Sequence, residues 1–225
     1  MELNKFVATK ARPLPVIIMA DTSGSMGIEG KIEALNSALK DMITSFSTEG
    51  RMRAEIHLTV VTFGGNAKTH LKMIPAHQIK HVDTLVADGG TPLGKACDLV
   101  RGIIEDKELI PSRAYRPVII LASDGYPTDA YQASFTKLLE SDRAKKATRF
   151  ALSIGADADN ELLKSFGNDL EAPLFYAKNA SEISRFFRAV TMSVSNHSKS
   201  QKPNDVMTLD YVVEELADDD LDIPL

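Results

Sequence analysis

The sequence predicts an α/β fold in which helices cover both faces of a mostly parallel central sheet. Two continuously apolar runs, 16–20 and 117–122, are typical of strands that are buried on both faces. Amphipathic helical patterns alternate with the strands along the chain, which favours parallel pairing. The 225 residues, of which 44% are hydrophobic, are enough for one large domain with a sizeable core.

The first two elements have the clearest patterns. Residues 14–20 predict a buried strand rather than a signal peptide, because the apolar run is short, contains a proline and ends at Asp21. A helix is predicted over 31–46, where five large apolar residues recur at helical spacing. This order of strand and helix is the start of a parallel α/β unit.

The remaining elements are predicted from the same kind of spacing. Strands over 57–63 and 68–74 are separated by a short glycine-containing turn, so we expect them to pair as an antiparallel hairpin. The later elements are a helix opened by Thr91-Pro92, a strand over 117–122, a helix near 130–147, a strand over 150–154, a short helix near 159–166, a strand over 174–177 and a last helix capped by Ser181.

Composition excludes several classes of partner. The net charge of −5 and the pI of about 5.6 leave no basic excess to neutralise a phosphate backbone, so we expect no nucleic acid partner. No apolar stretch approaches the roughly 20 residues that a membrane helix needs. The single cysteine, Cys97, forms no internal disulfide, which fits a reducing compartment. These observations favour a cytoplasmic protein.

The chain divides into a lead-in over 1–13, one domain over 14–195 and a C-terminal segment over 196–225. Residues 196–205 are polar and typical of a linker, and the remainder is an acidic tail with a few apolar residues. The tail is either a solvated terminus or a docking segment whose carboxylates reach the site of this or a neighbouring chain. Deleting 206–225 would then raise partner affinity or change the oligomeric state, and no change in either would reject docking.

Five oxygen-bearing side chains stand where strands end or where a glycine-rich turn leads into a helix. They are Asp21, Ser23, Ser25, Thr91 and Asp124. Ligands of open parallel sheets bind beyond the carboxyl ends of the strands, so we expect these residues to meet there. Carboxylates and hydroxyls are hard donors that suit Mg²⁺, with Mn²⁺ or Ca²⁺ as alternatives. The sequence therefore predicts a metal site made from these five residues.

The charges of this set indicate what the metal would do. Two carboxylates balance a divalent cation, and the hydroxyls add ligands without adding charge. Five protein groups leave a position open in an octahedral shell. A Glu or Asp of another protein could fill that position, which predicts recognition through the metal rather than chemistry by it.

Each of the five residues also has a simpler interpretation when it is taken alone. Thr91 before Pro92 is a good helix N-cap, and Ser23 and Ser25 are good caps for the following helix. Asp124-Gly125 is an ordinary turn pair. What these interpretations leave unexplained is why all five residues are oxygen donors at the ends of one sheet.

The motifs Asp21-Thr-Ser-Gly-Ser25, Gly90-Thr91-Pro92 and Ser123-Asp124-Gly125 occur in the order of the von Willebrand factor A (vWA) domain, which the chain resembles over roughly 14–195. The resemblance implies a Rossmann-like sheet with one short antiparallel strand. It also implies a metal-ion-dependent adhesion site in which Ser23, Ser25 and Thr91 contact the metal. Asp21 and Asp124 would bind it directly or through water.

Within that family, the chain is most similar to bacterial tellurite-resistance proteins of the TerY type. The similarity lies in the runs Pro-Val-Ile-Ile-Met-Ala-Asp-Thr-Ser-Gly-Ser-Met, Asp-Gly-Gly-Thr-Pro-Leu-Gly and Leu-Ala-Ser-Asp-Gly-Tyr-Pro-Thr-Asp. It implies a role in protein complexes of stress and metal resistance, with a protein kinase or phosphatase as partner. Because the metal is expected to serve recognition rather than chemistry, we expect that the chain is not an enzyme.

A Mg²⁺-dependent phosphohydrolase or nucleotide-using enzyme is the alternative, with Asp21 as nucleophile. Phosphatases of the haloacid dehalogenase type need a second Asp as proton donor, and Ser23 stands at that position. A P-loop is incomplete, because Gly30-Lys31 is followed by Ile32 rather than by Ser or Thr. Mg²⁺-dependent turnover that vanishes on replacement of Asp21 would favour the enzyme.

Two other metal patterns are weaker. His77 and His81 are four residues apart, but no third ligand accompanies them, so a solvated loop is the better interpretation. Asp157 and Asp159 lack the glycine and glutamate spacing of a calcium loop.

Overall fold

A computed structural model describes residues 11–50, 53–167, 174–205, 207 and 209. The strands are β1 (Arg12–Asp21), β2 (Ala54–Gly64), β3 (Asn66–Pro75), β4 (Val118–Ser123), β5 (Thr148–Ile154) and β6 (Phe175–Ala177). The α-helices are α1 (Lys31–Thr48), α2 (Leu93–Glu105), α3 (Gln132–Glu140), α4 (Asn160–Phe166) and α5 (Ala180–Lys199). Short 3₁₀ turns span Gly24–Gly27 and Ala76–Gln78.

The six strands form one sheet in the order β3-β2-β1-β4-β5-β6. Every neighbouring pair is parallel except β2 and β3, which form the predicted antiparallel hairpin. The predicted α/β fold is therefore confirmed, with an antiparallel strand that is ten residues long. Strand β1 lies between β2 and β4, so the carboxyl ends of all three strands meet at one edge of the sheet.

Two apolar layers hold the helices against the sheet, and β1 contributes to both. Val16 and Ile18 pack in the layer that contains α1 and α5, whereas Ile17 and Met19 pack in the layer that contains α2, α3 and α4. All four side chains are fully buried. Each such burial stabilises the fold by about 1.5–3 kcal/mol, which explains why the sequence of β1 is continuously apolar.

Three predicted helix boundaries are wrong. The helix predicted over 130–147 ends at Glu140, and turns follow it. The last helix is capped by Asn179, not by Ser181: the Asn179 side chain accepts a hydrogen bond from the backbone of Glu182 at 3.1 Å. Helix α2 begins at Leu93, one residue after Pro92.

The predicted linker and tail are described only in part. Helix α5 continues to Lys199, so the first residues of the predicted linker are helical. Met207 is buried, and Leu209 packs against the layer of α1 and α5. Residues 1–10 of the predicted lead-in and 210–225 of the acidic tail lie outside the described residues. The domain boundaries at 13 and 195 remain predictions.

No helix in the described ranges has the length and apolar character that crossing a bilayer requires.

Cys97 is expected to be unreactive in the folded protein. Its side chain is fully buried on α2, and this burial raises the pKa of the thiol to about 12. We expect iodoacetamide at pH 8 to leave the folded protein unmodified and to alkylate it fully in guanidinium chloride. Mass spectrometry of intact protein measures both states, and rapid alkylation without denaturant would contradict the burial.

Candidate metal centre

The pairing of β1 with β4 brings the two predicted carboxylates to one place. The register pairs Ala20 with Ala122, so Asp21 and the Ser123-Asp124 segment emerge side by side at the carboxyl edge. Both aspartates are almost inaccessible to solvent, with exposures of 0% for Asp21 and 1% for Asp124. The two acidic side chains therefore meet at the strand ends, as the sequence predicted, and the structure shows that both are buried there.

Asp21 is fixed by hydrogen bonds to both of its carboxylate oxygens. Oδ1 accepts from the backbone N–H of Ser23 at 2.8 Å, and Oδ2 accepts from the Ser123 hydroxyl at 2.5 Å. Burial nevertheless raises the pKa of Asp21 to about 6, since these hydrogen bonds offset only part of the lost hydration. The ionised carboxylate lacks a compensating charge among these contacts, and a bound cation would supply one.

A chain of hydroxyls connects the first loop with Asp124. The Ser25 hydroxyl donates to Asp124 Oδ1 at 2.7 Å, and the Ser23 and Ser25 oxygens lie 3.1 Å apart. Gly24–Gly27 forms a 3₁₀ turn, which places the two hydroxyls next to each other. Neither serine caps a helix, and Ser23 precedes the 3₁₀ turn without a side-chain capping bond.

Thr91 is positioned by residues that follow Asp124. Its backbone N–H donates to the Thr128 hydroxyl at 2.8 Å, and its carbonyl accepts from the Thr128 N–H at 2.9 Å. The start of α2 is capped by Asp129, whose carboxylate accepts from the N–H groups of Gly94 and Lys95. The simpler interpretation of Thr91 as the N-cap of α2 is therefore wrong.

The loops that carry Ser25, Thr91 and Asp124 converge near Gly125. A Cβ built on Gly125 would lie 4.0 Å from the Ser25 hydroxyl and 4.0 Å from the Thr91 hydroxyl. The first loop is also joined to the Thr91 loop by a backbone hydrogen bond from Gly24 to Gly89 at 2.8 Å. The structure thus brings all five predicted residues together, while their role as metal ligands remains a prediction.

The approach of these loops depends on glycines that have no room for a side chain. A Cβ on Gly64, at the end of β2, would overlap the carbonyl oxygen of Thr22. A Cβ on Gly89 would overlap the backbone of Gly65, and Gly89 also has a positive φ of 65°. The backbones therefore pack directly against one another beneath the site.

The Thr91 loop is also attached to helix α1. The Asn36 side chain donates to the Leu85 carbonyl at 2.9 Å and accepts from the Leu85 N–H at 2.8 Å. The Asn36 amide thus satisfies both backbone polar groups of Leu85, as a neighbouring strand would do in a sheet. The sequence patterns did not reveal Asn36, Ser123, Thr128 and Asp129, because their partners are 34 to 102 positions away in sequence.

Lys31 is a charged member of the site that sequence analysis did not identify. Its ammonium group lies 2.9 Å from Asp124 Oδ2 and is mostly shielded from solvent. One signal was available: a lysine in the first turn of a helix opposes the helix dipole, which favours acidic residues there. With Asp21 and Asp124 ionised, Lys31 reduces the site charge from −2 to −1, so a bound divalent cation leaves a charge of +1.

Replacement of Lys31 by methionine is expected to tighten divalent cation binding. Methionine keeps an apolar stem of similar length and removes a positive charge close to Asp124. By Coulomb's law at the dielectric constant typical of protein surfaces, we expect the Mn²⁺ affinity to rise by about tenfold or more. Isothermal titration calorimetry measures this affinity. Lys199→Met removes the same charge from an exposed lysine, which pairs with Glu49, and is the control. Equal affinities in both variants would contradict the argument.

The other metal patterns have structural explanations. Asp159 caps α4 by accepting from the backbone of Leu162. His77 lies 3.9 Å from a Glu55 oxygen, and His81 is exposed beside Asp83. Within the described ranges, no group of three or more His, Cys, Asp or Glu side chains is arranged to hold a metal. The candidate centre differs from such groups, because three of its five candidate donors are hydroxyls.

The family profile of the von Willebrand factor type A domain matches residues 16–189 of the chain. The chain belongs to the vWA family. Domains of this family generally mediate metal-dependent protein interactions and are typically not enzymes. No curated protein sequence matches the chain.

Solved vWA structures share the fold of this chain at low sequence identity. A vWA protein from Catenulispora acidiphila is 20% identical with a TM-score of 0.63, covering 81% of this chain and 42% of its own. The ArnB paralog VWA2 from Sulfolobus acidocaldarius is 18% identical with a TM-score of 0.58, covering 82% and 46%. Proximal thread matrix protein 1 from the mussel byssus, described with zinc in its MIDAS motif, is 19% identical with a TM-score of 0.63, covering 81% and 48%. This vWA chain spans less than half the length of each.

The residues of this vWA domain fit a divalent cation. Two buried carboxylates supply the charge, the hydroxyls of Ser23, Ser25 and Thr91 supply neutral hard donors, and no sulfur or imidazole is present among them. When bound, the cation would supply a positive centre at the edge of the sheet.

Proposed function

We propose that this vWA domain binds a partner protein through a divalent cation, most simply Mg²⁺, to which the partner contributes a Glu or Asp side chain. The observation that carries the proposal is the convergence of Asp21, Ser23, Ser25, Thr91 and Asp124 at one edge of the sheet. With Lys31 in the site, the cation leaves a net positive charge of one. A single carboxylate neutralises that charge, and a charge-assisted contact of this kind is strong where water is partly excluded.

The alternative, an Mg²⁺-dependent phosphohydrolase with Asp21 as nucleophile, has weaker support. A phosphatase of the haloacid dehalogenase type needs a second Asp as proton donor two residues after the nucleophile, and Ser23 stands at that position. Mg²⁺-dependent hydrolysis of p-nitrophenyl phosphate or ATP that disappears in Asp21→Asn would support this alternative instead.

The cellular setting is a further part of the proposal. The resemblance of three motifs to TerY-type proteins is what supports a role in a bacterial tellurite- or stress-resistance complex, with a protein kinase or phosphatase as partner. A cytoplasmic location is consistent with a single buried cysteine. Cell fractionation tests the location, and recovery of the chain with the membrane or outside the cell would reject it.

The decisive experiment is affinity capture with the immobilised full-length chain in millimolar MgCl₂. We expect a partner to be retained by the wild type, released by EDTA and absent from Asp21→Asn, in which asparagine fills the same space without the charge. Asp83→Asn removes an exposed carboxylate from the connection that leads to Thr91 and should retain the partner. Mass spectrometry then shows whether the partner is a kinase or phosphatase. If EDTA does not reduce the amount of partner that is retained, the proposal is contradicted.

A further inference from the structure

Three large apolar side chains on the loops of the candidate metal centre face solvent. Ile28 is 60% exposed, Val86 is 75% exposed and Tyr126 is 65% exposed. Six large hydrophobic side chains are exposed in the described part of the chain, and these are three of them. Exposed apolar side chains are unfavourable in water unless something else covers them, so the presence of three on the loops of one site requires an explanation.

Each of the three belongs to a different loop of the centre. Ile28 follows the Ser23–Ser25 turn, Val86 lies on the segment that leads to Thr91, and Tyr126 comes two residues after Asp124. The loops touch beside these residues. A Cβ on Gly27 would lie 3.5 Å from the Cβ of Ala87, and one on Gly125 would lie 4.0 Å from the Ser25 and Thr91 hydroxyls. We call Ile28, Val86 and Tyr126 the apolar ring.

We propose that the apolar ring is a docking surface for a protein segment in which one Asp or Glu is flanked on both sides by apolar side chains. This inference rests on the proposed function and narrows the partner that the site accepts. The charge at the centre selects the carboxylate, because a divalent cation with Lys31 leaves one uncompensated positive charge. The apolar ring then favours partners in which apolar side chains flank that carboxylate.

The apolar contacts also strengthen the central charge interaction. Burial of flanking aliphatic side chains against Ile28, Val86 and Tyr126 removes apolar surface from water and excludes water from the cation. Less water around the carboxylate lowers the local dielectric and increases its attraction to the metal. A central polar contact inside an apolar surround is the arrangement of strong interface hot spots.

The exposed apolar residues elsewhere provide a control. Leu109 lies between α2 and β4, in the connection that precedes the amino end of β4, and Met192 lies on α5. Neither is on a loop that carries a predicted ligand. Replacing them removes exposed apolar surface without changing the candidate centre.

The test uses two short fluorescent peptides that each carry one glutamate, flanked by leucines in one and by serines in the other. Fluorescence anisotropy with the full-length chain in MnCl₂ is expected to show that the leucine-flanked peptide binds at least about tenfold more tightly. Changing Ile28, Val86 and Tyr126 together to serine should reduce this preference to about twofold or less, with Mn²⁺ affinity unchanged. Changing Leu109 and Met192 to serine should leave the preference intact.

The outcomes separate this inference from the function on which it rests. If Mn²⁺ binds but the two peptides bind the wild type equally, or neither binds, the apolar ring is not a docking surface. If the preference survives in the triple serine variant, the ring is also rejected. If Mn²⁺ does not bind to the wild type, the proposed function fails and the ring inference fails with it.

Discussion

Asp124→Asn is expected to weaken Mn²⁺ binding at least about 100-fold, which corresponds to about 2.7 kcal/mol. Asparagine keeps the shape of the side chain and an oxygen that can accept from Ser25. It removes one of two negative charges that would lie within a few ångströms of the cation. A unit charge pair at 4 Å contributes about 4 kcal/mol at the dielectric constant typical of a protein surface, so a loss of this size is expected.

Isothermal titration calorimetry at pH 7.5 measures the affinity, and the Asp83→Asn variant is the matched control. Asp83 lies on the same connection as Thr91, its side chain is exposed, and its replacement removes the same single charge. We expect the control to bind Mn²⁺ within about twofold of the wild type, because exposed charges are screened by salt and solvent. Equal affinities for Asp124→Asn and the wild type would exclude Asp124 from the metal centre.

Gly64→Ala is expected to destabilise the fold by about 3 kcal/mol or more, or to prevent folding. The added methyl would overlap the Thr22 carbonyl oxygen, and a backbone atom cannot move away as the end of a flexible side chain can. Because Thr22 follows Asp21 directly, any shift that relieves the overlap also displaces the candidate metal centre. Urea denaturation followed by circular dichroism measures the change.

The matched control is Gly102→Ala on helix α2. Gly102 is exposed, and nothing lies within 4 Å of an added Cβ, so alanine meets no obstacle there. Alanine is also a better helix former than glycine, and we expect Gly102→Ala to stabilise the fold by about 0.5–1 kcal/mol. Opposite signs for the two glycine variants would show that space, rather than glycine itself, decides the outcome.

Sequence patterns were most informative where one physical requirement acts on consecutive residues. The continuous apolar run of β1 reflects burial on both faces, and the spacing in α1 reflects a single buried stripe. The five donor residues were also identified correctly as neighbours, because parallel strands bring their carboxyl ends to the same edge. The spacing of apolar residues within one strand or helix can be interpreted without knowing which segment packs against it.

Contacts between distant segments were not predictable in this way. Lys31, Thr128 and Asp129 each act through a partner on another loop, and no spacing along the chain distinguishes them from solvated polar residues. The end of α3 was placed too late for a similar reason. Ala144 and Ala147 are buried and continue the apolar spacing, but they belong to turns whose carbonyl at Ala144 accepts from Arg149.

The candidate centre draws its donors from the ends of two strands and from two loops that are far apart in sequence. In an unfolded chain these oxygens are dispersed, so a cation has no comparable site to occupy there. Binding to the native state alone links metal occupancy to the folding equilibrium, and a cation at 100 times its dissociation constant would add about 2.7 kcal/mol to the free energy of unfolding. The metal concentration in the cell would therefore affect the fraction of this chain that is folded, as well as its binding to a partner.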